Sequence, residues 1–249
     1  MRSTVTVLVP TYNRESMLGE CLESLLAQTW PPDQIIVMDD GSTDGTKEVV
    51  SNFKEVTYLY QSNGGKPRAL NGCFPHIRGE FVWIFDDDDV ALPWSVEHRA
   101  VLAQSTDADV VLSRHYWGHS GTDGRVVVDE EAIWPSLKIA DVRLHLMQSC
   151  FTTLQGALIR WTALRSAGFF REELRTSEDY DMLLRLTRKG AVAMLDEPTF
   201  VFRRHEGMRG QRGYRYSSGE RELRFARHDQ VVGAWLRKEF ALGEYLTPR

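Results

Sequence analysis

The chain has 249 residues, of which 42% are hydrophobic and 26% charged, and its formal net charge is −5. This length is enough for one full globular core, and the acidic balance gives no ground for nucleic acid as a general partner. Cys21, Cys73 and Cys150 lie far apart without metal-ligand spacing, which fits thiols packed as small apolar groups in a reducing, cytoplasmic setting.

In chain order, Thr4–Val9 reads as a β-branched strand ended by Pro10. Asn13 is placed to cap a helix over 14–28, whose apolar positions Leu18, Cys21, Leu22, Leu25 and Leu26 fall at helical spacing. A second strand, 34–38, runs into Asp39-Asp40-Gly41-Ser42-Thr43-Asp44. A helix through Val49, Val50 and Phe53 follows, then a strand over 56–60, the loop Ser62–Lys66, and a helix opened by Pro67. Phe81–Phe85 is an unbroken apolar run, the pattern of a strand buried on both faces, and it ends in Asp86-Asp87-Asp88-Asp89. Pro93 opens another helix, and 109–116 is a further strand.

This strand–helix alternation predicts an α/β fold with a doubly wound, mostly parallel sheet, in which ligands gather beyond the carboxyl ends of the strands. Four adjacent carboxylates held at such an end repel unless a cation joins them. An oxygen-rich cluster suits a hard divalent ion, Mn²⁺ or Mg²⁺, bound together with phosphate. The plain alternative is an acidic turn that meets water. No glycine-rich dinucleotide fingerprint follows the first strand, which argues against a nicotinamide dehydrogenase.

The second half is less regular. Residues 118–131 read as a hairpin or loop, 139–147 as a short helix, 153–159 as a strand and 161–166 as a helix. Ser177 is a candidate cap for a helix over 178–189, with acids in its first turn. Two strands are expected at 191–195 and 199–203, then a long loop over 204–217 and a final amphipathic helix. Between Arg203 and His228 stand eight arginines, no lysine and three glutamates, a balance of +5 that leaves −10 elsewhere. The chain enters its first strand with no signal-peptide pattern, and no run approaches the roughly 20 apolar residues of a membrane span.

Together, Pro10-Thr11-Tyr12-Asn13, Gln28-Thr29-Trp30, Asp39–Asp44, Asn63-Gly64-Gly65, Asp86–Asp89 and Glu178-Asp179 followed by Leu183-Leu184-Arg185-Leu186 resemble a family 2 glycosyltransferase with the GT-A fold, over about residues 4–205. The resemblance implies one domain over 1–249. Its nucleotide-sugar half would be about 1–112 and its acceptor half about 113–205, with a basic loop and helix over 206–249. It implies an inverting, non-processive, metal-dependent transfer of one sugar from a nucleotide-sugar, a UDP-sugar foremost, to an acceptor hydroxyl.

By that resemblance the acid run matches a DXD motif. Asp88, with Asp86 and His205, would hold the metal, and Asp86 or Asp87 would meet the ribose. Asp89 either joins them or holds the turn. Pro10, Thr11, Tyr12 and Asn13 would lie along the base, with Asp40 accepting its ring N–H, while Asp39 and Asp44 brace the turn. Lys66, Arg68 and Arg204 would reach ribose or phosphate, unless the first two are only solvated cations at a helix start. Asp179 would be the general base, with Glu178 as its rival.

The acceptor is open: a glycan, a lipid-linked group or a small molecule. Trp117, Trp134 and Trp161 either stack on sugar or belong to the core. The loop Gly207–Gly219 reads as a lid over the diphosphate or as a solvated basic loop, and the basic segment Arg203–Arg227 as a surface for peripheral contact with an anionic membrane. The Gln-x-x-Arg-Trp motif of processive synthases is absent. Competing readings are a non-catalytic nucleotide-sugar or anionic-surface binding module, a nucleotidyltransferase, and a dehalogenase-like phosphatase whose Asp-x-Asp spacing at Asp39-Asp40 is not met.

Overall fold

The computed structural model describes residues 2–135, 138–174, 176–205 and 218–241, without the side chains of 140 and 218–228. Its elements in chain order are β1 (Val5–Thr11), α1 (Leu18–Leu26), β2 (Gln34–Asp39), α2 (Thr46–Ser51), β3 (Val56–Tyr60), α3 (Lys66–Cys73), β4 (Phe81–Ile84), β5 (Val90–Ala91) and α4 (Ser95–Thr106). The second half continues with β6 (Val110–Ser120), β7 (Val126–Glu131), α5 (Val142–Gln148), β8 (Ala157–Arg160), α6 (Trp161–Ala167), α7 (Glu178–Lys189), β9 (Val192–Arg204) and α8 (Ser218–Glu239).

The strands form one sheet in the order β3-β2-β1-β4-β8-β6-β9-β5, with β7 paired to β6. β1, β2, β3 and β4 are mutually parallel, and β6 pairs parallel with β9. β8 runs antiparallel to both β4 and β6, so β4 and β6 point the same way. The mostly parallel, two-faced sheet expected from the sequence is therefore present. Its centre is the apolar run: Val82 and Ile84 enter the core shared with α3, α5, α6, α7 and α8, while Phe81, Trp83 and Phe85 enter the one shared with α1, α2 and α4. Strand order reverses between β1 and β4, and a crevice opens there at the strands' carboxyl ends.

Several local expectations are corrected. β1 does not stop at Pro10 but runs two residues against Met38 and Asp39. The Leu8 carbonyl accepts from Phe85 N–H and the Thr11 carbonyl from Asp40 N–H. By alternation, the N–H that Pro10 lacks would face the side where β4 has already ended, so no ladder bond is lost. α1 starts at Leu18 rather than near 14, because Asn13 adopts a left-handed φ of 54° and does not cap it. Ser177 likewise makes no capping bond to α7. The two strands expected at 191–195 and 199–203 are one 13-residue strand, held continuous by β6 across an irregularity opposite Ser113–His115. The strand expected over 153–159 is confined to β8.

Buried packing also sets up the site. Trp83 Nε1 donates to the Gln155 carbonyl at 2.7 Å, and Arg99 Nη1 reaches the same oxygen at 3.2 Å from above the Trp83 ring. Arg99 is fully buried, which lowers its pKa to about 9. Between β2 and the loop before α3, Gly41 has a φ of 85°, and a Cβ there would lie 2.7 Å from the Asn63 backbone nitrogen. Gly41→Ala is therefore expected to cost roughly 1–3 kcal/mol and to loosen the Asn63–Gly65 loop. Urea unfolding checks the first effect and amide exchange in that loop the second.

Candidate functional site

A cleft of about 1220 Å³ runs from the tips of β1 and β2, past the end of β4, to the start of α7 and one face of α8. Pro10, Thr11, Tyr12, Asn13, Asp40 and Lys66 line its first end. Asn13 ties that wall together: its Oδ1 accepts from Thr43 N–H, and its own N–H donates to Ser42 Oγ. Asp39 accepts from Ser42 N–H and Tyr58 Oη, and Asp44 from Glu15 N–H and Thr46 N–H, so both acids brace the turn.

Asp40 braces as well. Its Oδ1 accepts from Gln61 Nε2 and Gly64 N–H, and its Oδ2 from Asn63 Nδ2 and Gly65 N–H, all within 3.1 Å. A base N–H reaching Asp40 would share an oxygen that already holds two bonds. Arg68 is exposed, lies against Gly64, and does not line the cleft.

The four acids beyond β4 diverge in partner. Asp86 meets Lys66 Nζ at 2.7 Å and Gln155 Nε2 at 2.6 Å. Asp87 and Asp88 face Arg14 Nε at 3.5 and 3.8 Å, and Asp88 Oδ2 lies 2.8 Å from His205 Nε2. Asp89 is fully buried and accepts from the Arg203 backbone N–H at 2.9 Å and from Gln155 Nε2 at 3.2 Å.

Burial raises the pKa of Asp86, Asp87 and Asp89. Lys66 opposes this at Asp86 and Arg14 at Asp87, while the neighbouring aspartates reinforce it. Asp87 reaches about 7. Burial alone would lower Lys66 and Arg14, but the carboxylates around them outweigh it and raise both.

One oxygen each from Asp86, Asp88 and Asp89 lies within 4.8 Å of the others. An all-oxygen donor set, in which burial and repulsion raise the proton affinities of Asp86 and Asp89, fits a hard divalent cation. Asp89 thus joins the candidate ligand set as well as holding the turn, and His205 meets Asp88 from outside that trio.

Across the cleft, α7 begins with Glu178 and Asp179. Glu178 is buried, and Lys66 Nζ lies 3.6 Å from its Oε1. Burial, then the charge of Asp179, raises Glu178 to about 7 against the pull of Lys66. Asp179 is half-buried, lines the cleft, and receives no hydrogen bond from another described residue. Asp181, the third acid of this turn, is committed to Arg185 at 2.6 Å and Arg171 at 3.6 Å.

Other expectations sort by burial. Arg203 does not face phosphate or a surface: it is 1% exposed and bonded to Glu20, Ser120 Oγ and the Gly124 carbonyl. Arg204 is exposed, pairs with Glu130 at 3.2 Å and lies over the Trp117 ring. Trp117 and His115 line the cleft, and burial together with Arg204 lowers His115 to about 4. Trp134 is core, edge-on to Phe151, and Trp161 packs on Phe74. Cys21 and Cys73 are buried as expected, whereas Cys150 is exposed and lines the cleft. The loop expected over 204–217, with the lid or membrane surface drawn from it, lies largely outside the described residues.

The sequence reading did not single out Arg14 or Gln155. Arg14 had a signal, a cation directly after Pro-Thr-Tyr-Asn. Gln155 had none, being a lone amide in the least patterned stretch.

The family model described as glycosyl transferase family 2 matches residues 6–165. The chain belongs to that family. A Rickettsia typhi protein described as an uncharacterized glycosyltransferase is 27% identical over 215 residues, covering 81% of this chain and 64% of the relative. This chain therefore spans somewhat under two thirds of that relative's length.

Staphylococcus aureus TarS in complex with UDP-GlcNAc superposes with a TM-score of 0.71 at 23% identity, over 98% of this chain and 71% of that one. The mannosyltransferase PcManGT from Pyrobaculum calidifontis, in complex with GDP-Man and Mn²⁺, gives 0.62 at 20% identity, over 97% and 66%. The fold is the GT-A fold of family 2 glycosyltransferases.

The raised pKa of Glu178 sets a pH dependence. Its folded value near 7 exceeds the 4.5 of the free group, so the folded protein holds the extra proton between those limits. The stability this adds is complete below pH about 4.5 and is lost as pH rises through about 7. The melting temperature in EDTA is expected to fall across that window, and Glu178→Gln to flatten the fall. A pH series of thermal melts on both proteins checks it.

Proposed function

We propose that the protein transfers a single sugar from a nucleotide-sugar, a UDP-sugar foremost, to an acceptor hydroxyl with inversion, using Asp179 as general base. The observation that carries this reading is one cleft with an oxygen cluster on one wall and, on the other, the carboxylate of Asp179, which accepts no hydrogen bond from a described residue and feels the charge of Lys66. The family assignment supports sugar transfer, and the UDP-GlcNAc complex of TarS supports the donor class. In this reading about 1–112 hold the donor and about 113–205 the acceptor, within one domain.

The base would lie along Pro10–Asn13, with Tyr12 as the stacking ring and Asp40 at its edge. Asp86, Asp88 and Asp89 would hold Mn²⁺ or Mg²⁺, an ion that when bound neutralises charge on the departing diphosphate. His205 keeps Asp88 oriented. Lys66 and Arg14 now neutralise carboxylates, and they are within reach to turn to the diphosphate when it arrives. Asp179 takes the proton of the acceptor hydroxyl while its oxygen attacks the anomeric carbon and the bond to the diphosphate breaks on the opposite face. Glu178 is buried and tied to Lys66, and is the less available of the two to an acceptor hydroxyl. No helix among the described residues is long and apolar enough to cross a membrane.

Two outcomes are expected. UDP with Mn²⁺ raises the melting temperature of the wild type, and Asp88→Ala removes that gain, as read by thermal shift. Asp179→Asn keeps the shift but lowers UDP release from the UDP-sugar by about 10²- to 10⁴-fold. A variant that still turned over at the wild-type rate would sink the assignment of the base.

A further inference from the structure

We propose that Ser177 and Asp229, joined by a hydrogen bond between the start of α7 and α8, are positioning residues that aim the Asp179 carboxylate; this rests on Asp179 being the base. Ser177 occupies the N-cap position of α7, yet its side chain makes no bond to that helix. A capping serine sits in extended backbone and accepts a helix N–H. Here Ser177 has a φ of 63°, the left-handed region that favours glycine, and its Oγ donates to Asp229 Oδ1 at 2.9 Å, 52 residues further on. An L-residue keeps such a conformation only when its surroundings hold it there.

Asp229 can serve as that hold because α8 is fixed to α7. Val232, Leu236 and Phe240 are buried against the α7 side of the core. Arg171 joins Asp181 of α7 to Glu239 of α8, lying over the Trp235 ring. Arg188 of α7 donates to the Glu239 carbonyl and lies over Phe240. Asp229, Gly233 and Leu236, spaced four and three residues apart, present one face of α8 to the same cleft as Asp179.

Asp179 accepts no hydrogen bond from a described residue, and the charge of Lys66 is a non-directional pull, so its direction follows from where the first turn of α7 begins. That is set two residues earlier, by the backbone at Ser177. The helix starts there, with Asp181 N–H donating to the Ser177 carbonyl at 3.1 Å. A serine used as a tether in place of a cap has a purpose if the helix must begin in one orientation. The side chain whose orientation matters is the one that no described residue hydrogen-bonds and that lines the cleft.

The test uses the full chain with Mn²⁺ and whichever of UDP-glucose, UDP-galactose or UDP-GlcNAc the wild type hydrolyses fastest, read as UDP release. Ser177→Gly removes the tether but suits the positive φ. It is expected to keep or raise the melting temperature while kcat falls roughly 10- to 100-fold and the donor KM stays unchanged, the cost of a misplaced group. A purely structural serine would give no such split. Asp229→Ala should match that loss, and Asp229→Asn, which keeps an acceptor oxygen, should recover most of it.

Wild-type kcat in Ser177→Gly and Asp229→Ala, with Asp179→Asn inactive, overturns the positioning role alone. Wild-type kcat in Asp179→Asn removes the base on which it rests. A crystal structure of Asp229→Ala with the Asp179 carboxylate unmoved overturns it whatever the turnover.

Discussion

Four carboxylates follow a strand that is wholly buried, and keeping them there without mutual repulsion is the constraint that organises this fold. Two unit charges 4 Å apart repel by about 4 kcal/mol at the effective dielectric typical of protein sites. The groups that meet them come from four separate parts of the chain. Lys66 comes from the start of α3, Arg14 from the turn after β1, Gln155 from just before β8, and the Arg203 N–H and His205 from the end of β9. The buried floor beneath, where Trp83 and Arg99 share the Gln155 carbonyl, places the amide that bridges Asp86 and Asp89. Packing and electrostatics therefore meet at one residue.

The compensation is incomplete, and the incompleteness is what gives the cleft its chemistry. Asp86, Asp87 and Asp89 remain harder to ionise than free carboxylates despite two cations and an amide. That is the condition in which a divalent ion and an anionic ligand are taken up together. Lys66 ties this wall to the opposite one through Glu178, so the two walls of the cleft are electrostatically joined.

The sheet and most of the cleft were legible because they follow from strong, local patterns. The apolar run ending in four acids, the acids at the end of β2, and the helix opening with Glu178-Asp179 each carried their signal within a dozen residues. What was misread depended on distant partners. Asn13 and Ser177 were read as caps because that is their commonest use, but each is bonded across the chain, to Thr43 and Asp229. Arg203 counted as part of a basic segment, while its burial against Glu20 depends on a contact 183 residues away. Gln155 gave no signal because an amide becomes part of an acidic cluster only when β8 brings it there. The break expected between the last two strands spans Pro198, which pairs with Arg114 at the irregularity, but β6 runs past it and makes one strand of both.

The length of β9 has a consequence for how the protein reaches its working state. Its last residues supply Arg203 N–H to Asp89 across 114 positions and His205 to Asp88 across 117. Contacts at such separations close slowly, because the chain entropy of large loops is lost before they stabilise anything. During synthesis the acidic tip exists before the strand that completes its partners, and it meets Arg203 N–H and His205 only after more than a hundred further residues have been made. Until then the acids rely on Arg14 and Lys66, which precede them in the chain and are already present when they are made.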